Sequence, residues 1–229
     1  MGYIYPKESR SVRDLLRRRL LYVRQRTTHI LSLQSMITRN LGVRMSGNEI
    51  KKQKPEDAER LFDDPFLVFT AQKNIETIEF LKIIIRDIEK KVLEVAELSP
   101  EFIKLKTFPV IGKILALTIM LEVGDIGRFR KVGDYSSYCR CVKSEKLSNG
   151  KKKGENNKKN GNKYLSWAYI EAANFAIRFS PEAQSFYQRK KAKRNGIVAL
   201  KALSNKIARA SYYVMRDQVD YDVEYLFRK

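Results

Sequence analysis

Apolar residues recur three and four apart along most of the chain. From Val12 onward, Leu16, Leu20, Val23, Ile30 and Ile37 share one stripe, with Thr27 and Gln34 filling the same face. This spacing predicts a long helix with a heptad seam ending near Leu41-Gly42. Residues 3–8 read as an extended lead-in, capped by Ser9 or Ser11. A polar connection from Arg44 to Asp64, with a helix start at Pro55-Glu56-Asp57, leads to a second long helix from about Pro65 to Leu98. Its seam is Ile78, Leu81, Ile85, Ile88, Val92 and Val95. Ten basic and two acidic residues lie between Tyr3 and Arg44, against nine basic and twelve acidic in residues 49–97. The expected arrangement is an antiparallel helical hairpin with complementary flanks. A hairpin of this kind buries little by itself, so each seam could also meet a second copy, and a homo-oligomer is expected.

Ser99-Pro100 breaks the helix and divides the chain into residues 1–99 and 100–229. The run Leu105 to Ile119 predicts a short helix, a tight Pro109–Gly112 turn and a helix from Lys113. That is the pattern of a helix-hairpin-helix, in which the Gly112 and Lys113 region faces a backbone phosphate. The same turn could instead join two core helices. Gly124 to Arg130 reads as a C-cap and turn, and Val132 to Cys141 as a short helix with an aromatic face from Tyr135 and Tyr138. Tyr164, Leu165, Ala168, Ala172, Phe175 and Ala176 lie on one helical face, and Ser180-Pro181 restarts a helix. Gln188–Arg194 is a basic cluster and Asn195-Gly196 a turn. A last helix runs from Ile197 to about Arg216, with Leu200, Leu203, Ile207, Ala210 and Val214 inward. No stretch alternates with period two, so the expected fold class is all-α.

Composition narrows the function. With 43% hydrophobic residues in 229, the chain can build a real core. The formal charge of +20 points to a polyanionic partner, most commonly nucleic acid. It is uneven, +15 over residues 101–229 against +5 over residues 1–100. No apolar run is long enough to span a membrane and the N-terminus has no apolar signal region, so a cytoplasmic protein is expected. Cys139 and Cys141 lack companions for a metal site and read as small buried residues. The sole histidine, His29, sits beside apolar positions of the first helix and reads as structural.

The stretch Ser148 to Lys163 holds no large apolar side chain and carries six lysines against one glutamate. Its glycines and asparagines let backbone N–H groups approach phosphate oxygens. Two readings stand side by side. One is a disordered basic linker that binds nucleic acid through counterion release. The other is an active-site loop in which Ser148 is the nucleophile, and Lys151, Lys152, Lys153, Lys158, Lys159 and Lys163 clamp the backbone and stabilise phosphoryl charge.

An ordered series of motifs resembles the insertion-sequence-110 family of transposases. It comprises Phe108-Pro109-Val110-Ile111-Gly112 with Ala116, Gly124-Asp125-Ile126 with Phe129, and Val142-Lys143-Ser144-Glu145 leading into Ser148-Asn149-Gly150. Lys159 to Leu165, Ala172-Ala173 and Lys206-Ile207-Ala208-Arg209 follow. Tyr5-Pro6, Arg13 to Arg19 and Val23 to Thr27 match the family's central segment. The resemblance implies a DNA recombinase guided by a structured RNA, with a carboxylate domain holding divalent metal (Mg) and a C-terminal serine that joins covalently to DNA. Ser148 falls at the nucleophile position, with Ser144 as the fallback. Many relatives have glycine in place of Val110 and an apolar Leu-Gly-Leu in place of Cys139-Arg140-Cys141. The family's metal-binding carboxylates precede the Tyr-Pro segment at which this chain begins, so no metal ligand is assigned here. The alternative is a catalytically inactive DNA- or RNA-binding and dimerising remnant or regulator.

Overall fold

The computed structural model describes residues 3–96, 98–142, 145–149, 151–155 and 160–227. It is an all-α fold, with one short hairpin among the described residues. The chain divides into two compact units, Asp14–Glu94 and Met1–Arg13 with Val95–Lys229.

Helix α1 (Lys7–Leu41) starts five residues before the expected Val12. Pro6 presets the backbone for a helix, and Glu8 in the first turn complements the exposed N–H groups. Two short helices follow, α2 (Gly47–Ile50) and α3 (Ala58–Leu61). Ser46 caps α2 in a reciprocal box with Glu49, its backbone N–H donating to the Glu49 carboxylate at 2.6 Å. Helix α4 (Pro65–Ala96) runs antiparallel to α1, as two contacts show. Arg19 Nε donates to Glu89 Oε1 at 2.7 Å, and His29 Nδ1 lies 3.0 Å from Asn74 Oδ1.

The core of this unit gathers Ile30, Leu33, Ile37, Ile50, Phe62, Ile75 and Ile78. The apolar stripe of α1 differs from the expected one at Thr27, which is exposed, and at Leu33 and Met36, which are buried. The α4 seam holds from Ile78 through Val92. At the next step Val95 is 63% exposed and Ala96 is buried, because a 3.6-residue repeat favours a four-residue step there.

In the other unit, α5 (Pro100–Leu105) and α6 (Lys113–Val123) are joined by the Phe108–Gly112 turn. Helix α6 is buried nearly all round, through residues such as Leu117, Ile119 and Val123. Such a helix belongs at the centre of a core. Gly124 closes it at φ +64, where a Cβ would stand 2.6 Å from Tyr3 Oη. Tyr5 Oη donates to the Leu121 carbonyl at 2.6 Å, which ties residues 3–13 to this unit.

Helix α7 (Val132–Tyr138) is followed by strands β1 (Glu145–Ser148) and β2 (Lys151–Glu155). Then come α8 (Lys163–Phe179), α9 (Pro181–Lys193), α10 (Gly196–Asp217) and α11 (Val223–Phe227). Helix α8 packs on α6 and α10 through Leu165, Ala168, Tyr169, Ala172, Ala173 and Ala176. Tyr169 takes the inward place expected of Phe175, which is 42% exposed and stacks on Phe179. The hydroxyls of Tyr135, Tyr169 and Ser211 form a buried chain; Tyr169 and Ser211 are 2.5 Å apart.

Candidate nucleic-acid interface

The two strands form an antiparallel hairpin, which corrects the expectation that no strand occurs in the basic stretch. Asn149, the residue after β1, adopts φ +48. A left-handed residue suits a tight hairpin turn, and asparagine accepts that conformation more readily than most residues with a side chain. The expectation failed because Lys151-Lys152-Lys153 carries no apolar alternation in the sequence.

Ser148 is therefore the last strand residue before the tip, partly exposed and registered opposite Lys151. Directly paired residues of an antiparallel ladder project on the same face, so the hydroxyl and the Lys151 ammonium share a side. The register slips between Lys146 and Leu147, so Leu147 pairs with Lys152 and Lys146 with Gly154. Lys153 is thereby the extra residue of a bulge, which bends the strand. Lys151, Lys153 and Lys163 are exposed. Ser144, Lys158 and Lys159 lie outside the described residues, as does the side chain of Lys152.

The basic stretch returns to the core at Gly161 and Asn162. Gly161 sits at φ +87, where a Cβ would fall 2.5 Å from the Tyr138 carbonyl oxygen. Asn162 N–H donates to that same oxygen at 2.6 Å, and both Nε and Nη2 of Arg140 donate to the Gly161 carbonyl. The Asn162 side chain acts in two directions. Its Oδ1 accepts from the N–H groups of Tyr164 and Leu165, capping α8, while Nδ2 donates to the buried Glu122 carboxylate at 2.7 Å. Sequence reasoning did not name Glu122 and met Asn162 only as part of the Lys159 to Leu165 motif. The available signals were a lone acid in a mostly apolar helix and an asparagine just before an amphipathic run.

Gly112 is the N-cap residue of α6, at an ordinary φ of −71° and with nothing within 4 Å of a Cβ built on it. Lys113 beside it is exposed. Gly112 and Lys113 thus form an exposed helix start, where the first backbone N–H groups lack partners within the helix. Glu122 and the base of the basic stretch are at the other end of α6, about 15 Å away at 1.5 Å per residue. The structure does not bring Gly112 and Lys113 together with the base of that stretch.

Cys139 and Cys141 are buried free thiols. Burial raises both, Cys141 to about 12, so neither is a nucleophile near neutral pH. Among the described residues no three of His, Cys, Asp and Glu stand together as metal ligands.

Residues 104–188 match the model of the Transposase IS116/IS110/IS902 family. The matched segment runs from α5 into α9. It contains the α6 N-terminus, Glu122, the hairpin with Ser148, and Asn162. No curated protein matches the chain. No helix among the described residues is long and apolar enough to cross a membrane.

Proposed function

We propose that this chain is a DNA transposase part in which Ser148 attacks a strand and becomes covalently joined to it. The observation that carries this reading is the position of Ser148 at a hairpin tip, opposite Lys151 and inside the matched segment. A hydroxyl held there reaches a phosphodiester without backbone in the way. The Oγ–P bond forms as the bond from phosphorus to the leaving strand oxygen breaks. The serine proton goes to solvent, and the leaving oxygen takes one up. One phosphodiester replaces another, so rejoining needs no nucleotide cofactor. Lys151, Lys153 and Lys163 offset the charge on the phosphoryl oxygens, and the α6 N-terminus at Gly112 and Lys113 holds a phosphate about 15 Å from the base of the basic stretch.

Divalent metal belongs to this reading only through the family. The described residues of this chain do not form a site for it, so the chemistry above is that of Ser148 and its cations. DNA, a guide RNA and a second copy of the chain are the partners that fit. Exposed Phe66, Phe69, Phe80 and Ile83 on α4 give the second copy an apolar surface to meet.

The test is covalent capture. The protein is incubated with Mg²⁺ and labelled DNA carrying a nicked element end, then denatured and resolved by size. Ser148→Ala is expected to bind with unchanged affinity and to form no denaturation-resistant adduct. An adduct in Ser148→Ala overturns the assignment of the nucleophile. Binding without an adduct in the wild type assigns the chain to the alternative, a binding module.

A further inference from the structure

Helices α9, α10 and α11 border an open cavity of about 570 Å³, lined chiefly by Phe186, Arg189, Lys190, Lys193, Lys206 and Phe227. The two rings lie 6.1 Å apart at 59°. Lys206 Nζ stands over both, 5.5 Å from the Phe186 centroid and 5.6 Å from that of Phe227, and Lys190 Nζ is 5.8 Å from Phe186. Four cations thus surround two half-buried aromatic faces, with no carboxylate among the residues lining the cavity.

Packing alone gives no reason for that composition. Like charges brought together raise the energy of the fold, and the cation–π contacts return only about 0.5–1 kcal/mol each at exposed sites. Partial burial, and then Arg209 and Lys190, hold Lys206 below the usual lysine range, so its neighbours are repulsive. An anion entering the cavity would relieve that repulsion. A carboxylate would do so and leave the rings bare, whereas a nucleotide supplies both a phosphate and a flat π-face.

We propose that this cavity seats one unpaired nucleotide of a single-stranded polynucleotide, its base against Phe186 and Phe227 and its phosphate among Lys190, Lys193 and Lys206. Cationic grooves with aromatic platforms bind single strands with little sequence preference, because every base has a π-face. The site is separate from the hairpin. Of its seven lining residues only Phe186 lies within residues 104–188. Its role is non-covalent, so it stands or falls independently of Ser148.

The experiment measures affinity of the full chain by fluorescence anisotropy for short oligo(dT), oligo(U), an abasic strand of equal length, and a duplex. Phe186→Ala is expected to weaken oligo(dT) binding about tenfold, the size of one lost stacking contact, and to leave duplex binding unchanged. Phe186→Tyr restores it. Lys206→Gln flattens the salt dependence on oligo(dT) by about 0.7 in log–log slope. If Phe186→Ala does not fold, the abasic strand decides, since the wild type is expected to bind it about tenfold more weakly than oligo(dT). A preference for oligo(U) assigns the cavity to RNA and the reverse to DNA, either one supporting the site. Equal affinity for abasic and base-bearing strands overturns the proposal. So does equal weakening of single strand and duplex by Phe186→Ala, or competition by poly-glutamate as strong as that by oligo(dT).

Discussion

Asn162 Nδ2 donates to Glu122 Oε2 at 2.7 Å across 40 residues of sequence, with the two side chains only 8% and 3% exposed. The same asparagine caps α8 through Oδ1 and holds the Tyr138 carbonyl through its backbone N–H. One residue therefore ties the end of α6, the end of α7 and the start of α8 to the base of the basic stretch.

Replacing Asn162 removes two things at once. Asn162→Ala loses a helix cap, about 1 kcal/mol, and takes one donor from a buried carboxylate, about 1–3 kcal/mol. A combined loss of about 2–3 kcal/mol is expected as a lower urea midpoint at constant slope. Asn162→Asp keeps the cap acceptor but sets a second carboxylate against Glu122. Its urea midpoint is expected to fall below that of Asn162→Ala, because two carboxylates then share a buried site. A loss below about 0.5 kcal/mol for Asn162→Ala would show that the anchor contributes little.

Two glycines separate folding from binding. Gly161→Ala forces a Cβ into the Tyr138 carbonyl at φ +87, and a cost of about 2–4 kcal/mol is expected in thermal or urea unfolding. Gly112→Ala meets nothing at φ −71°, so stability is expected to stay within about 1 kcal/mol. Its effect falls instead on duplex affinity, because the methyl stands where a phosphate would approach the α6 N–H groups. Unchanged duplex binding by Gly112→Ala would remove that end of α6 from the interface.

The hairpin tip has its own test. Asn149→Val places a β-branched residue at φ +48, and Asn149→Gly satisfies the same turn. Amide exchange across Glu145–Glu155 is expected to quicken in the valine variant and to stay slow in the glycine variant. Covalent capture of DNA should fall with it, about tenfold for valine if opening costs about 1.4 kcal/mol. Equal capture by both would mean that turn geometry does not present Ser148.

Alkali should unfold this protein early. Burial raises Cys141 from 9.0 to about 12, and pushes Cys139, Tyr135 and Tyr169 well above their ordinary values. These groups keep their protons when folded and lose them first when unfolded. Their stabilisation is fully present below about pH 9 and declines as pH rises toward about 12, by up to about 1.4 kcal/mol per pH unit for each such group. Urea midpoints above pH 9 should fall accordingly, and native thiols at pH 8 should resist a disulfide reagent until denaturant is added. Rapid native labelling would contradict the burial of both cysteines.

Periodicity along the chain was enough to locate α1, α4, the α5–α6 pair, α8 and α10, because helical hydrogen bonds and the three-and-four spacing of Ile78, Leu81, Ile85 and Ile88 are local. Charge and the absence of large side chains likewise marked Ser148 to Lys163 as a surface stretch. Its pairing was hidden, since Lys151 to Lys153 carry no apolar alternation. The rest was decided by tertiary structure. That Ala96 and not Val95 turns inward depends on the helix repeat meeting a core. That residues 3–13 belong with the C-terminal unit depends on Tyr5 reaching the Leu121 carbonyl, 116 residues away. The Glu122–Asn162 contact and the cation-rimmed pair of Phe186 and Phe227 arise between segments distant in sequence, where no local spacing records which side chains will meet.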